Sequence, residues 1–516
     1  MSEDTQVRAG DVKRKIYVMK FGGSSLAGSK EIAQSVSIIK KYALDPSTSV
    51  VVVCSAMGDT TDHILKAIDN AKGGNLDASK KVVAEMRASH ESAVESTVEN
   101  AELRKRCSSW LLERFEEFEK VLLGISLLRD LSPRSLDYSL SFGERLSTRI
   151  VNDSLASSGL KTKYFTGGEA GILTDETFGS AEPVLKITNE MLRANLLPLI
   201  RDGVTPIVTG YIAETVDTRE IITLGRGGSD FTATLIASAI GADEVVLWTD
   251  VDGIMSADPR IIKKARILER VSYLEAMEMS AFGAKSMQPR ALDPAAKSGI
   301  PVRIRNTFNP EFPGTLILSA MNGAAKGVET GGVKAVGSLT NVGVVSISGT
   351  SIVGSPGTAV KIFEILKELG VGILMMSQSV SENNVSLVIK RAELPKVVKA
   401  FRRELLLEEE EEEQQDRNSP ASHATITKIE QRSNKSKFTK LEFEDDVSIV
   451  AVLGRGMIGT PGIAGRVFST VARQGINIRM IAQGSSEINI SFVIKDKDRN
   501  KAVSALHEEF VAAAAS

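Results

Sequence analysis

An internal repeat sets the strongest limit on the fold. Asn341–Lys390 lies without gaps on Asp446–Lys495, with roughly two positions in five identical. Gly349, Gly354, Pro356-Gly357, Phe363, Gly370, Gln378 and Glu382 recur as Gly454, Gly459, Pro461-Gly462, Phe468, Gly475, Gln483 and Glu487. Each copy reads strand, glycine turn, helix, strand, polar turn, strand, which predicts a small sandwich of helix on sheet, built twice. Two copies are too few for a solenoid, so a paired regulatory module is expected. Between the copies run six glutamates, Glu408–Glu413, and then a polar stretch to about Lys440. A solvated insertion is expected there.

At 516 residues the chain has room for about three to five domains. Its 63 Lys+Arg nearly balance 65 Asp+Glu, which disfavours a bulk nucleic-acid binder. Two cysteines, Cys54 and Cys107, exclude a disulfide framework or a thiolate zinc centre. No apolar run reaches the about 18–20 residues of a membrane span. The start, MSEDTQVRAGDVKRK, has no hydrophobic core, and its early acids argue against a transit peptide. A cytoplasmic protein acting on small molecules, without nucleic-acid or membrane partners, is expected.

The first 320 or so residues alternate strands and helices. IYVMKFGG (Ile16–Gly23) and VVVVCSA (Val50–Ala56) are β-branched runs breaking into small-residue turns, and GVTPIVTGYIA and ADEVVLWTDVDG repeat the design. Such runs fit buried parallel strands, hence an α/β domain with an open, mostly parallel sheet between helices. From Asn75 to Arg129 a charged amphipathic stretch predicts added helices.

Two motifs carry no weight. GSSLAGSK (Gly23–Lys30) puts Ser29 before Lys30, the reverse of a P-loop, and GRGMIG (Gly454–Gly459) aligns with GTSIVG of the first repeat, so it reads as a repeat turn rather than a dinucleotide site. KFGGSS (Lys20–Ser25) is different, because it sets a lysine at a strand end before two glycines whose N–H groups can approach an anion. GRGGSD (Gly225–Asp230) opens a helix with Gly227 and Gly228, beside an arginine suited to a carboxylate and an aspartate suited to a lysine or metal. A tight turn with an N-cap is the plainer alternative. TDVDGIMSADPR (Thr249–Arg260) follows an apolar strand and suits ribose or metal-water contacts, or is a simple turn. Glu144 of FGE and Lys285 of GAKSMQPRA read alone as surface charges.

Together KFGGSS, VCSAMGDTTD, SFGERLS, GRGGSD, TDVDGI…DPR and GAKSMQPRA resemble, in order and spacing, the aspartate kinases of the amino acid kinase superfamily. The duplicated segment, with MSQSVSE and IAQGSSE, looks like their two ACT domains. The resemblance implies an amino acid kinase fold over residues 16–320, after a tail of 1–15. It implies α+β ACT domains over 335–404 and 441–516, separated by the 405–440 insertion. No dehydrogenase follows, so a monofunctional enzyme is expected. Its reaction would move the γ-phosphoryl of ATP, with Mg²⁺, to the β-carboxylate of L-aspartate in lysine, threonine and methionine biosynthesis.

By the same resemblance Lys20 neutralises the transferring group and Asp230 orients it and supports the magnesium shell. Gly22, Gly23 and Ser24 line the phosphate path, Lys285 meets the nucleotide phosphates, and Thr249, Asp250 and Arg260 match the nucleotide segment. Arg226 takes the aspartate carboxylate and Glu144 its ammonium, with Thr60 and Ser229 nearby. Met255 departs from relatives that carry tyrosine near the adenine. An amino-acid effector, threonine favoured over lysine, would bind through Ile352, Ser355, Pro356, Gly357, Gln378 and Gln483, and paired ACT sheets imply a homodimer or larger homo-oligomer. A glutamate kinase and a non-enzymatic amino-acid sensor are the rival readings.

Overall fold

The computed structural model describes residues 14–282, 288–319, 332–349, 358–378, 384–405, 427–430, 438–484 and 486–512. The chain forms two compact units, one of Met1–Ile254, Ile267–Ser280 and Lys285–Val328, the other of Met255–Arg266, Ala281–Ala284 and Glu329–Ser516.

The first unit is built on an eight-stranded sheet. Its strands are Lys15–Phe21 (β1), Thr48–Cys54 (β2), Thr162–Phe165 (β3), Thr205–Thr209 (β4), Glu244–Thr249 (β5), Arg270–Ser272 (β6), Val302–Asn306 (β7) and Thr315–Leu318 (β8). They lie in the order β3-β4-β2-β1-β5-β7-β8-β6. Only β7 and β8 pair antiparallel, so the sheet is mostly parallel, as expected. Val50 to Cys54 are all buried, the mark of a strand covered on both faces. Leu173–Thr174, Ile212–Thr215 and Ile221–Thr223 form a smaller sheet.

Seven long helices accompany the sheets: Ser29–Ala43 (α1), Thr60–Lys72 (α2), Leu76–Thr97 (α3), Ala101–Leu128 (α4), Pro133–Ser157 (α5), Leu185–Arg201 (α6) and Gly228–Ile240 (α7). The charged stretch after Asn75 is α3 and α4, as its periodicity predicts. Asn75 caps the first by accepting from the Ala78 N–H, and Asn100 caps the second from Glu102 and Leu103. Helix α5 is buried from Ser139 to Ser147, although most of those residues are polar. It packs against α2, α3, α4 and the sheet and so carries polar groups into the interior.

The second unit is one antiparallel sheet built from both repeats. Ala335–Gly349 (β9), Met375–Gln378 (β10), Asn384–Lys390 (β11), Phe438–Leu453 (β12), Met480–Gln483 (β13) and Asn489–Lys495 (β14) run in the order β10-β11-β9-β12-β14-β13. Helices Thr358–Glu368 (α8), Leu394–Glu404 (α9), Ile463–Arg473 (α10) and Arg499–His507 (α11) complete it. The long central strands β9 and β12 pair along their length and join the copies. Equivalent residues fill equivalent cores, with Val345, Leu387 and Ile389 in one and Val450, Phe492 and Ile494 in the other. Met255–Arg266 belongs here too. The Ser256 carbonyl accepts from the Val336 N–H at 2.8 Å, and Ile261 and Ile262 pack on the second core.

Most of the acidic insertion lies outside the described residues. Thr427–Glu430 within it is a strand that pairs with β12, setting Lys428 in register with Glu442 and Glu430 with Lys440. Its alternation of β-branched and charged residues suits a strand. Among the described residues no helix is long and apolar enough to cross a membrane.

Candidate active site

The site gathers where β1 ends. Lys20 sits near the end of that strand, and its ammonium lies 2.7 Å from Asp230 Oδ1, with side chains only 14% and 10% exposed. The contact is an ion pair rather than an aligned hydrogen bond. Asp230 stands in the first turn of α7, which begins after Gly227 at φ 76. That left-handed residue needs glycine, and it leaves the helix N-terminus without a side-chain cap. Amide donors and the positive end of the helix dipole therefore remain open to an anion.

The glycine turn after β1 is locked by its neighbours. The Gly22 N–H donates to the Trp248 carbonyl at 3.1 Å, and the Gly58 N–H to the Gly23 carbonyl at 3.1 Å. A Cβ on Gly23 would lie 3.1 Å from that Gly58 carbonyl oxygen and 3.3 Å from that of Ala56, so two turns approach closely there. Ser24 is exposed at the turn. Thr60 opens α2, with its hydroxyl donating to the Met57 carbonyl.

Glu144 is delivered from α5. It is 6% exposed, and its Oε2 has no partner among the described residues. Burial pushes its carboxyl up to about 8, against smaller downward pulls from backbone N–H groups, that of Ala56 among them, and from the Lys20 charge. A buried acceptor beside a cation, with one oxygen unused, is suited to a ligand ammonium. Gly143 explains the glycine of FGE, because a Cβ there would lie 2.8 Å from Ala56 Cβ. Gly143→Ala is expected to push α5 from the Ala56–Thr60 turn and lower kcat/KM about tenfold, with the far-ultraviolet circular dichroism unchanged.

Ser229 is buried against Gly210, where an added Cβ would lie 2.6 Å from the Ser229 oxygen. Arg226 is exposed, with no carboxylate partner among the described residues. Thr249 ends β5 and donates to Asp250 Oδ1 at 3.0 Å. Arg260 is not part of the first unit. It belongs to the second unit, where Asp258 takes its guanidinium at 2.7 Å. Lys285, Ile352, Ser355, Pro356 and Gly357 lie outside the described residues. Gln378 and Gln483 end the edge strands β10 and β13 at equivalent places, both exposed.

Sequence reasoning missed Tyr211. Its φ is 68, a strained conformation for a bulky residue, and its N–H donates to Thr232 Oγ1 at 3.2 Å. Burial first, and the Glu144 charge after it, push its phenol up to about 12. A Cβ on Gly228 would strike its ring at 2.7 Å, so Tyr211 packs on the open helix N-terminus.

Among the described residues no cluster of three or more histidine, cysteine or acidic side chains forms a metal cage. A single carboxylate, that of Asp230, still fits Mg²⁺. That ion keeps its waters and takes one or two carboxylates along with substrate phosphates.

A buried lysine–aspartate pair beside an open helix N-terminus, on a parallel sheet followed by paired antiparallel repeats, defines a class: an amino acid kinase domain with ACT domains. Residues 15–306 match the amino acid kinase family, and residues 345–405 and 450–510 match the ACT domain. Aspartokinase 1, chloroplastic, of Arabidopsis thaliana is 32% identical over 97% of this chain and 81% of its own length. The aspartokinase of Mycobacterium bovis is 30% identical over 96% of both chains. The crystal structure of E. coli aspartokinase III in complex with aspartate and ADP superposes with a TM-score of 0.74 at 25% identity, covering 96% of this chain and 99% of that one. Clostridium acetobutylicum aspartate kinase gives 0.72 at 27% identity, covering 96% and 100%. This chain belongs to the aspartokinase family and is a kinase.

Proposed function

We propose that the chain transfers the γ-phosphoryl group of MgATP to the β-carboxylate of L-aspartate, giving 4-phospho-L-aspartate, the entry to lysine, threonine and methionine biosynthesis. The observation that carries this reading is the Lys20–Asp230 pair with the unpartnered Glu144 carboxylate buried near it. Complementary groups then await the two ends of an amino acid, with Glu144, once ionised, for the ammonium and Arg226 for the α-carboxylate, and Thr60 and Ser229 beside them. The complex of the E. coli relative with aspartate and ADP supports the same ligands here.

The acceptor carboxylate is already ionised near neutral pH, with an ordinary pKa of about 4, so no general base is needed. Rate must come from alignment and from neutralising charge on the transferring group. Lys20 supplies that charge. Asp230 holds Lys20 in place, and its carboxylate would support the magnesium shell. Gly22, Gly23 and Ser24 cradle the phosphates together with Lys285, and Thr249 and Asp250 serve the nucleotide.

Residues 16–320 form the catalytic domain in this reading, and 335–404 and 441–516 the effector domains, paired across a homodimer or larger oligomer. Threonine is favoured as the feedback effector over lysine, held by Ile352, Ser355, Pro356 and Gly357, with side-chain amides from Gln378 and Gln483. Gln378→Ala and Gln483→Ala are expected to raise the threonine concentration for half inhibition about tenfold without changing uninhibited turnover. Inhibition curves for each variant check this.

Trapping the acyl phosphate with hydroxylamine, with aspartate or glutamate as acceptor, tests the whole reading. Aspartate-dependent hydroxamate supports it. Glutamate-dependent product would make the chain a glutamate kinase, and no product with either acid would leave an amino-acid sensor.

A further inference from the structure

The start of α7 is gripped by two side chains from elsewhere in the first unit. A Cβ on Gly227 would lie 2.5 Å from Gln288 Cγ and 2.6 Å from Gln288 Cβ. A Cβ on Gly228 would lie 2.7 Å from the Tyr211 ring. All three distances are well inside van der Waals contact. The paired glycines therefore mark where a glutamine stem and a tyrosine ring press on the backbone itself.

The tyrosine is held firmly. Its N–H donates to Thr232 Oγ1 at 3.2 Å, and that hydroxyl donates in turn to the Gly228 carbonyl at 2.9 Å. Its own carbonyl accepts from the Leu224 N–H at 2.9 Å. Gly210, just before it, admits Ser229, so neighbouring residues of one turn meet neighbouring residues of the helix. A bulky residue at φ 68 persists only where its surroundings over-determine it, and these contacts do so.

The glutamine is anchored through its own segment. Thr234 Oγ1 donates to the Ala291 carbonyl at 2.6 Å, and the Arg290 guanidinium lies 5.0 Å from the Phe231 ring centroid. Asp230 stands in the turn that the two side chains hold, and its ion pair with Lys20 is 2.7 Å long.

We propose that Tyr211 and Gln288 are positioning residues for phosphoryl transfer. The ring and the stem clamp Gly227-Gly228, which fixes Asp230 and, through it, the Lys20 ammonium. The inference rests on the role given above to Lys20. The clamp works by shape, so the ring matters and the phenol hydroxyl does not, and the stem matters and the amide does not. A misplacement of about 1 Å is enough to cost up to about 10²-fold in rate.

Two measurements on the full-length chain test this. Hydroxamate trapping with ATP and aspartate gives kcat, and hydrogen–deuterium exchange from Gly225 to Leu235 reports the clamp without turnover. The Gly228 and Phe231 N–H groups donate to the Gly225 and Gly227 carbonyls, both at 3.0 Å. They should exchange about tenfold faster in Tyr211→Ala, Tyr211→Gly and Gln288→Ala, with kcat about tenfold lower. Tyr211→Phe and Gln288→Met keep the ring and the stem, and should return both readouts to within about twofold of the wild type. Tyr211→Gly also relieves the left-handed strain, so it should melt at a higher temperature than Tyr211→Ala yet turn over no faster. Tyr211→Gly regaining turnover with its stability would make Tyr211 a purely structural residue and overturn the proposal. So would unchanged exchange in the alanine variants, wild-type turnover in either of them, or a Tyr211→Phe protein as slow as Tyr211→Ala. Absence of hydroxamate from the wild-type protein would instead remove the aspartate reading, and the exchange rates would then decide the clamp alone.

Discussion

Lys20→Ala is expected to lower kcat about 10³-fold and to destabilise the protein at once. The two effects have different origins and can be separated. Removing the ammonium leaves Asp230 as a carboxylate only 10% exposed with its cation gone, a loss of about 3 kcal/mol for a broken buried pair. Adding Asp230→Asn to Lys20→Ala removes the stranded charge. The double variant should regain most of the lost melting temperature and none of the lost turnover. Recovery of turnover in the double variant would mean that Lys20 serves only to balance Asp230, and the phosphoryl-transfer role would fall. Single-turnover rates beside thermal melts decide between the two.

The aspartate dependence should carry the signature of Glu144. Its carboxyl is pushed up to about 8 by burial, so in the free protein it is largely protonated at neutral pH. A substrate ammonium needs it ionised. The KM for aspartate should therefore fall close to tenfold per pH unit between pH 6 and about 8 and then level off. Glu144→Gln is expected to raise that KM about 100-fold, to change kcat little, and to flatten this pH dependence. The ligand-free protein should show the opposite trend in stability. A carboxyl whose folded value exceeds its ordinary 4.5 holds its proton more tightly when folded, so this contribution is full below pH 4.5 and is lost as pH rises toward 8. A KM that stays flat from pH 6 to 9 in the wild-type protein would remove Glu144 from the ammonium site.

How much of this was legible in the chain varies residue by residue. Lys20 was half legible, because a lysine near a strand end before two glycines suits an anion but is as often solvent-facing, and only its burial against Asp230 sets it apart. The GRGGSD turn was legible through its glycines, with Gly227 at φ 76 meeting the requirement. Glu144 was not readable from local pattern. Its neighbours in the chain are Phe142, Gly143 and Arg145, and only burial of α5 by α1, α2, α3 and α4 makes it special. Tyr211 left no mark at all, since a strained backbone at a non-glycine residue has no compositional signal. The repeat announced two similar units, but their fusion into one sheet depends on the pairing of β9 with β12, a long-range match that no local window contains. Arg260 shows a related limit. TDVDGIMSADPR reads as one continuous motif, yet its second half packs with the other unit.

That division has a consequence for anyone who cuts or recombines this gene. The polypeptide leaves the first unit and returns to it twice before staying in the second. A fragment starting at Glu329 lacks Ile261 and Ile262, which its own hydrophobic centre includes, and a fragment ending at Val328 carries those two isoleucines with nothing to bury them. Neither piece is a natural module. Swapping C-terminal halves between relatives at a single junction would replace one partner of this packing and keep the other, so working chimaeras should require the 255–266 stretch to travel with the C-terminal half.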